Sequence, residues 1–128
     1  MYQYLYYNTD MNKQKASRIR KEISILRGER KRFEDSALKH RRMIDTCLIE
    51  RYLGTKKKKR TTPAFYLSRK IQGKTKLKYV KNTEVAKVKR KTEAWREYSL
   101  LMQRIISLNR RIERLLRKLG KTQVEGRR

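Results

Sequence analysis

Apolar residues in the first part of the chain recur at Ile19, Ile23, Leu26, Phe33, Ala37 and Ile44, in steps of four, three, seven, four and seven. That spacing is a heptad stripe along one helix face. It predicts a single long helix over residues 12–53. A helix of about 40 residues is roughly 60 Å long. Arg30 and His40 fall on the stripe and weaken it. Gly28 lies inside it, costs roughly 1 kcal/mol relative to Ala, and permits a bend.

A broader stripe follows: Val85, Val88, Trp95, Tyr98, Leu101, Met102, Ile105, Leu108, Ile112, Leu115, Leu116 and Leu119. It predicts a second helix over residues 82–119, of nearly the same length as the first. Asn82 or Thr83 can cap its start, and Gly120 suits its end. Between the helices, residues 54–63 read as a basic loop: Gly54-Thr55, then Lys56, Lys57, Lys58, Lys59 and Arg60, then Thr61-Thr62-Pro63. Adjacent like charges disfavour a regular element, and Pro63 pushes Thr62 out of helical space.

Residues 64–81 alternate as a β-hairpin. A three-residue loop, Ile71-Gln72-Gly73, with Gly73 in the left-handed position of a bulge, sets Phe65 opposite Tyr79 and Leu67 opposite Leu77. One face then carries Phe65, Leu67, Leu77 and Tyr79, with Arg69 opposite Thr75. The other carries Tyr66, Ser68, Lys70, Lys74, Lys76 and Lys78. A two-residue Gln72-Gly73 loop would change the parity and mix these faces. Residues 1–11 form a separate Tyr-rich segment, with Tyr2, Tyr4, Tyr6 and Tyr7 before the first basic residue. It reads either as a short strand or stacking surface, or as sequence ahead of a true start at Met11. Residues 120–128 read as a basic tail.

The fold class expected is mainly α: two long antiparallel helices, coiled-coil-like, joined by a basic loop and a β-hairpin. Ile19, Ile23, Leu26, Phe33 and Ile44 of the first helix would meet Trp95, Leu101, Ile105, Leu108, Ile112 and Leu115 of the second. The second helix has more apolar surface than the first covers, with Leu101, Leu108 and Leu115 forming an extra seam. Either a homodimer or bundle with a partner protein, or the hairpin's apolar face, would cover it.

Charge changes this picture most. The 128 residues hold 38 Lys and Arg against 12 Asp and Glu, a net +26 that repels itself and calls for a polyanion. Between Lys56 and Lys91 fifteen Lys or Arg face only Glu84, so this stretch alone carries +14. The loop, the outer hairpin face and the helix start all fall within it. The nucleic-acid contacts expected are Lys56, Lys57, Lys58, Lys59, Arg60, Tyr66, Lys70, Lys74, Lys76, Lys78, Lys87 and Arg90. The lysines and arginines would neutralise phosphates, and Tyr66 would stack on a base or pack on the Lys78 stem. A two-stranded ribbon fits the major groove of B-DNA but not the deep, narrow groove of an RNA duplex. DNA and RNA both stay open at this point.

Little catalytic chemistry is legible. His40 is the single histidine and Cys47 the single cysteine, both placed on the helical seam by the stripe. Neither a disulfide framework nor a zinc finger can be built from them. Glu34-Asp35, Glu93 and Glu97 are the only carboxylates resembling a metal pair, and ion pairing explains them better. Gly73-Lys74-Thr75 echoes the end of a phosphate-binding loop without its upstream glycine. No catalytic residue, metal or cofactor is expected. No apolar run is long enough for a membrane span, and no secretory signal is apparent. The location expected is cytoplasmic, on nucleoid or ribonucleoprotein. The Lys56–Arg60 run also resembles a nuclear import signal.

The segment Phe65-Tyr66-Leu67-Ser68-Arg69-Lys70-Ile71-Gln72-Gly73-Lys74-Thr75, continuing through Tyr79-Val80 and Trp95-Arg96-Glu97-Tyr98, resembles a family of small prokaryotic proteins of unassigned activity. Their genes often lie near transposases. The resemblance covers residues 62–112, with Lys78 in place of the family's arginine. It implies a hairpin followed by a long helix in a mobile-element or viral setting. The leading expectation is a non-enzymatic nucleic-acid-binding accessory or regulatory factor. The alternatives are a structural RNA-binding component of a ribonucleoprotein and a helical partner of an acidic protein.

Overall fold

The computed structural model describes residues 2–52, 54, 55, 58, 59 and 62–124, with the side chains of 2–10, 55, 58 and 59 outside the description. The protein is mainly helical, with two long helices and a small three-stranded antiparallel sheet. Helix α1 spans Tyr2–Ala37. Strands β1 (Cys47–Arg51), β2 (Gly54–Thr55), β3 (Lys58–Lys59), β4 (Ala64–Ile71) and β5 (Lys74–Val80) follow. A 3₁₀ turn at Asn82–Glu84 leads into α2, Val85–Gln123. No described helix is long and apolar enough to cross a membrane.

The chain divides into two units, one combining α1 with the part of α2 from Leu101 onward, the other spanning His40–Leu100. In the first unit, Ile19, Ile23 and Leu26 of α1 form a buried cluster with Leu108 and Ile112 of α2. Phe33, Leu115 and Leu119 pack against it. Ala16 is also buried, extending the stripe one turn toward the N-terminus. Arg30, which interrupts the stripe, donates to Asn109 Oδ1 at 3.0 Å and pairs with Glu34 at 3.3 Å. The Arg104 guanidinium lies 5.5 Å over the Phe33 ring, and Arg20 reaches Gln123 at 3.4 Å. Of the seam Leu101, Leu108, Leu115, the last two belong to this core, and Leu101 is half-buried. The apolar side chains left exposed on α2 here are Met102, Ile106 and Leu116.

Two boundaries of α1 differ from the sequence expectation. The helix begins at Tyr2, so the Tyr-rich segment is helical and not a strand. It ends at Ala37, with Leu38 and Lys39 closing onto Glu34 and Ser36 carbonyls. Residues 47–51 are a strand because β4 offers a free edge on which Leu48 pairs with Leu67 and Ile49 with Tyr66. The seven-residue step from Ala37 to Ile44 is therefore fortuitous. Ile44 is not on a helix: it is half-buried in the segment before β1 and its N–H donates to the Lys91 carbonyl at 3.1 Å. His40 and Cys47 are exposed and off the helical seam. Gly28 sits in an uninterrupted helix.

The second unit is built on the sheet order β1-β4-β5. The segment expected as a loop carries a minimal second sheet, Gly54 pairing with Lys59 and Thr55 with Lys58. Helix α2 starts later than expected. Lys81 occupies the cap position without a side-chain bond, and the 3₁₀ turn precedes Val85. The helix also runs through Gly120 to Gln123. Thr122 Oγ1 and Gln123 Nε2 both donate to the Leu119 carbonyl, satisfying an acceptor that the helix end leaves open. Trp95 lies in this unit, outside the helical core, 37% exposed and stacked on Tyr98 with centroids 6.1 Å apart.

Candidate nucleic-acid interface

The hairpin turn is shorter than expected. Gln72 and Gly73 both take positive φ, 52° and 78°, and form a two-residue connection. Left-handed conformations at both central positions match the twist of the flanking strands, and glycine bears the second at no steric cost. The register then shifts by one: Phe65 opposes Val80, Tyr66 opposes Tyr79, Leu67 opposes Lys78, Ser68 opposes Leu77, Arg69 opposes Lys76 and Ile71 opposes Lys74. Val80 gains a place on the Phe65 face and is buried to 5% exposure.

This register corrects the composition of the two faces, because directly opposed residues share a face. Lys74, Lys76 and Lys78 share theirs with Phe65, Leu67, Arg69 and Val80. That face grades from charged at the turn to apolar at the base of the sheet. Tyr66 and Lys70 lie on the other face with Tyr79, Leu77 and Ile49. Tyr66 therefore lies on the face opposite the Lys78 stem. Its ring meets Tyr79 edge to face, centroids 5.7 Å apart. Tyr79 is the site neighbour the sequence reading misplaced, and the Gln72-Gly73 dipeptide was the signal that could have found it.

Strand β1 pairs with β4 only as far as Ser68, so Arg69–Ile71 and Lys74–Lys76 form a two-stranded tip. Three rungs and a turn extend about 10 Å at about 3.4 Å per residue. Three strands at about 4.8 Å spacing span about 10 Å between outer backbones before side chains are added. The three-stranded part thus nearly fills a major groove about 12 Å wide, and only the tip can penetrate one. At the tip Arg69 and Lys76 oppose each other, a like-charge pair that disfavours the rung. Asp45 offsets it by an ion pair with Arg69.

Lys70, Lys74, Lys76 and Lys78 are all exposed, as are Lys87 and Arg90 on the first turns of α2. No acidic side chain among the described residues pairs with any of these six. From Arg69 to Lys91 ten Lys and Arg stand against Glu84 alone. Strand β5 is also a sheet edge, where alternating lysines deter pairing with another chain. Lys58 and Lys59 lie in β3. Lys56, Lys57 and Arg60 lie outside the described residues.

No three His, Cys, Asp or Glu side chains among the described residues cluster as metal ligands. Glu34 is engaged by Arg30, and Glu93 and Glu97 are exposed on α2. An open basic hollow on the first unit is lined by Ser107, Arg110, Glu113, Arg114 and Arg117. No family model matches the chain, and no curated protein or solved structure matches it.

Proposed function

We propose that the chain is a non-enzymatic nucleic-acid-binding protein whose hairpin tip and edge strand grip phosphates. The observation that carries this is the row Lys74, Lys76 and Lys78: exposed, on one face, and without an acidic partner among the described residues. Phosphate neutralisation by such a row releases counterions and supplies affinity without sequence preference. Lys70, Lys87 and Arg90, and the lysine run from Lys56 to Arg60, extend the same role. The helices act as scaffold. Their antiparallel, coiled-coil-like pairing is supported by the order of contacts, with Arg20 meeting Gln123, Arg30 meeting Asn109 and Phe33 meeting Arg104. The exposed Met102, Ile106 and Leu116 support a further helical layer from a second copy or a partner protein. An accessory role in a mobile element rests on the resemblance carried by residues 62–112.

A second reading, a structural component of a ribonucleoprotein, draws on the thin interior: no large side chain among the described residues is less than 2% exposed. Such a chain gains order when its charge is neutralised by RNA. Fluorescence anisotropy of the full chain against duplex DNA, duplex RNA and a structured RNA, each over a salt series, tests both readings. Affinity falling linearly with the logarithm of salt supports nucleic-acid binding. Preference for the structured RNA with a gain in helical circular dichroism favours the second reading. Absence of binding to all three at low salt refutes both.

A further inference from the structure

The observed register builds an aromatic rung. Ile49, Tyr66 and Tyr79 lie side by side across β1, β4 and β5 on one face of the sheet. The two tyrosine rings are inclined by 68°, so one edge abuts the other's face and fixes both orientations. Tyr66 is half-buried, whereas Tyr79 is 55% exposed and its neighbour on the same face, Leu77, is 37% exposed. Tyr79, the penultimate residue of β5, thus presents a ring held in place by Tyr66 and open to a planar ligand.

Cations share this face of the sheet. Arg51 and Lys70 lie on the same face as the rings and Lys81 follows Tyr79 by two positions, while Lys78 belongs to the opposite face. Lys70 stands about 14 Å along β4 from Tyr66 at about 3.4 Å per residue. A braced, exposed aromatic ring with Arg51 and Lys70 on the same sheet face fits a strand whose bases are splayed while its phosphates pass those cations. A regular duplex cannot use it, because its base faces are already stacked on one another.

We propose that the Tyr66–Tyr79 face is a stacking platform for unpaired bases, so that the ligand of this chain is single-stranded or looped nucleic acid. This rests on the nucleic-acid-binding function proposed above and names the class of ligand.

The test compares the full chain on a single-stranded oligonucleotide and on the same strand with its bases removed at consecutive abasic positions. Both present identical phosphates, so only stacking separates them. The expected result is about tenfold weaker binding of the abasic strand, with similar salt slopes. The variant Tyr79→Leu should bind the intact strand about tenfold more weakly and the abasic strand as the parent does. Tyr79→Phe should behave as the parent. Equal affinity of the parent for intact and abasic strands overturns the platform while leaving phosphate binding in place. No binding to either strand at low salt overturns the nucleic-acid function and the platform with it.

Discussion

Changing Lys74, Lys76 and Lys78 together to Gln removes three exposed charges from one sheet face without altering strand length or the turn. Each lysine that neutralises a phosphate contributes about 0.9 to the slope of log affinity against log salt on duplex DNA, and about 0.7 on a single strand. The triple variant should therefore lose up to about 2.7 of that slope on a duplex and about 2.1 on a single strand. Between about 50 and about 200 mM salt the parent should lose about 40-fold more duplex affinity than the variant. The comparison variant is Lys13, Lys15 and Lys21 to Gln, which removes the same charge from exposed positions of α1. Anisotropy titrations at four salt concentrations give the slopes, and circular dichroism confirms that helix content is unchanged. Light scattering monitors self-association, since the same lysines guard the β5 edge. Equal slopes for the parent and the hairpin variant would remove the hairpin from the interface. Equal losses in the two variants would show that net charge alone is read.

Three further outcomes concern the scaffold. Leu26→Ala, at a side chain only 3% exposed, should lower stability by about 3 kcal/mol in urea denaturation; a loss under about 1 kcal/mol would contradict the helical core. Gly28→Ala should raise stability by about 1 kcal/mol in the same assay, because the added Cβ meets nothing within 4 Å in an uninterrupted helix. A loss there would mean that something approaches the glycine. Asp45→Asn should cost up to about 1 kcal/mol at low salt, as Arg69 is left facing Lys76, and the cost should fade at high salt. A cost independent of salt would assign Asp45 another role.

Both long helices were legible because apolar residues at heptad spacing leave few alternatives. Ile19, Ile23, Leu26, Leu108 and Ile112 form the core that their spacing predicts. The end of α1 was not legible from periodicity, since Ile44 happens to continue the stripe. What decides it is non-local: the edge of β4 captures Cys47–Arg51, a partner that no window around residue 47 contains. The run Thr46-Cys47-Leu48-Ile49 was the available hint, being apolar and β-branched without helical gaps. The turn was misjudged for a different reason. The two-residue Gln72-Gly73 loop mixes apolar residues and lysines on one face, so unmixed faces pointed to the bulge, yet the chain accepts the mixed faces and a non-glycine residue at φ 52°. Burial of Val80 opposite Phe65 and the Tyr66–Tyr79 contact favour the shorter turn. The lysine row was legible from composition, but its face was not, because one residue of register exchanges the faces.

The discontinuity of the first unit has a consequence for how the chain is made. The residues that cover Leu26 are Leu108 and Ile112, some 82 positions later counting from Leu26 to Leu108. At about 5–20 residues per second, a ribosome needs about 4–16 s to supply them. The whole of His40–Leu100 emerges within that interval and can close on itself, since its sheet is contiguous in sequence. Throughout it, the Ile19-Ile23-Leu26 stripe has no mate from its own chain. That interval is the one in which α1 can meet a helix of another nascent copy, before its own α2 arrives and tethering gives it the advantage.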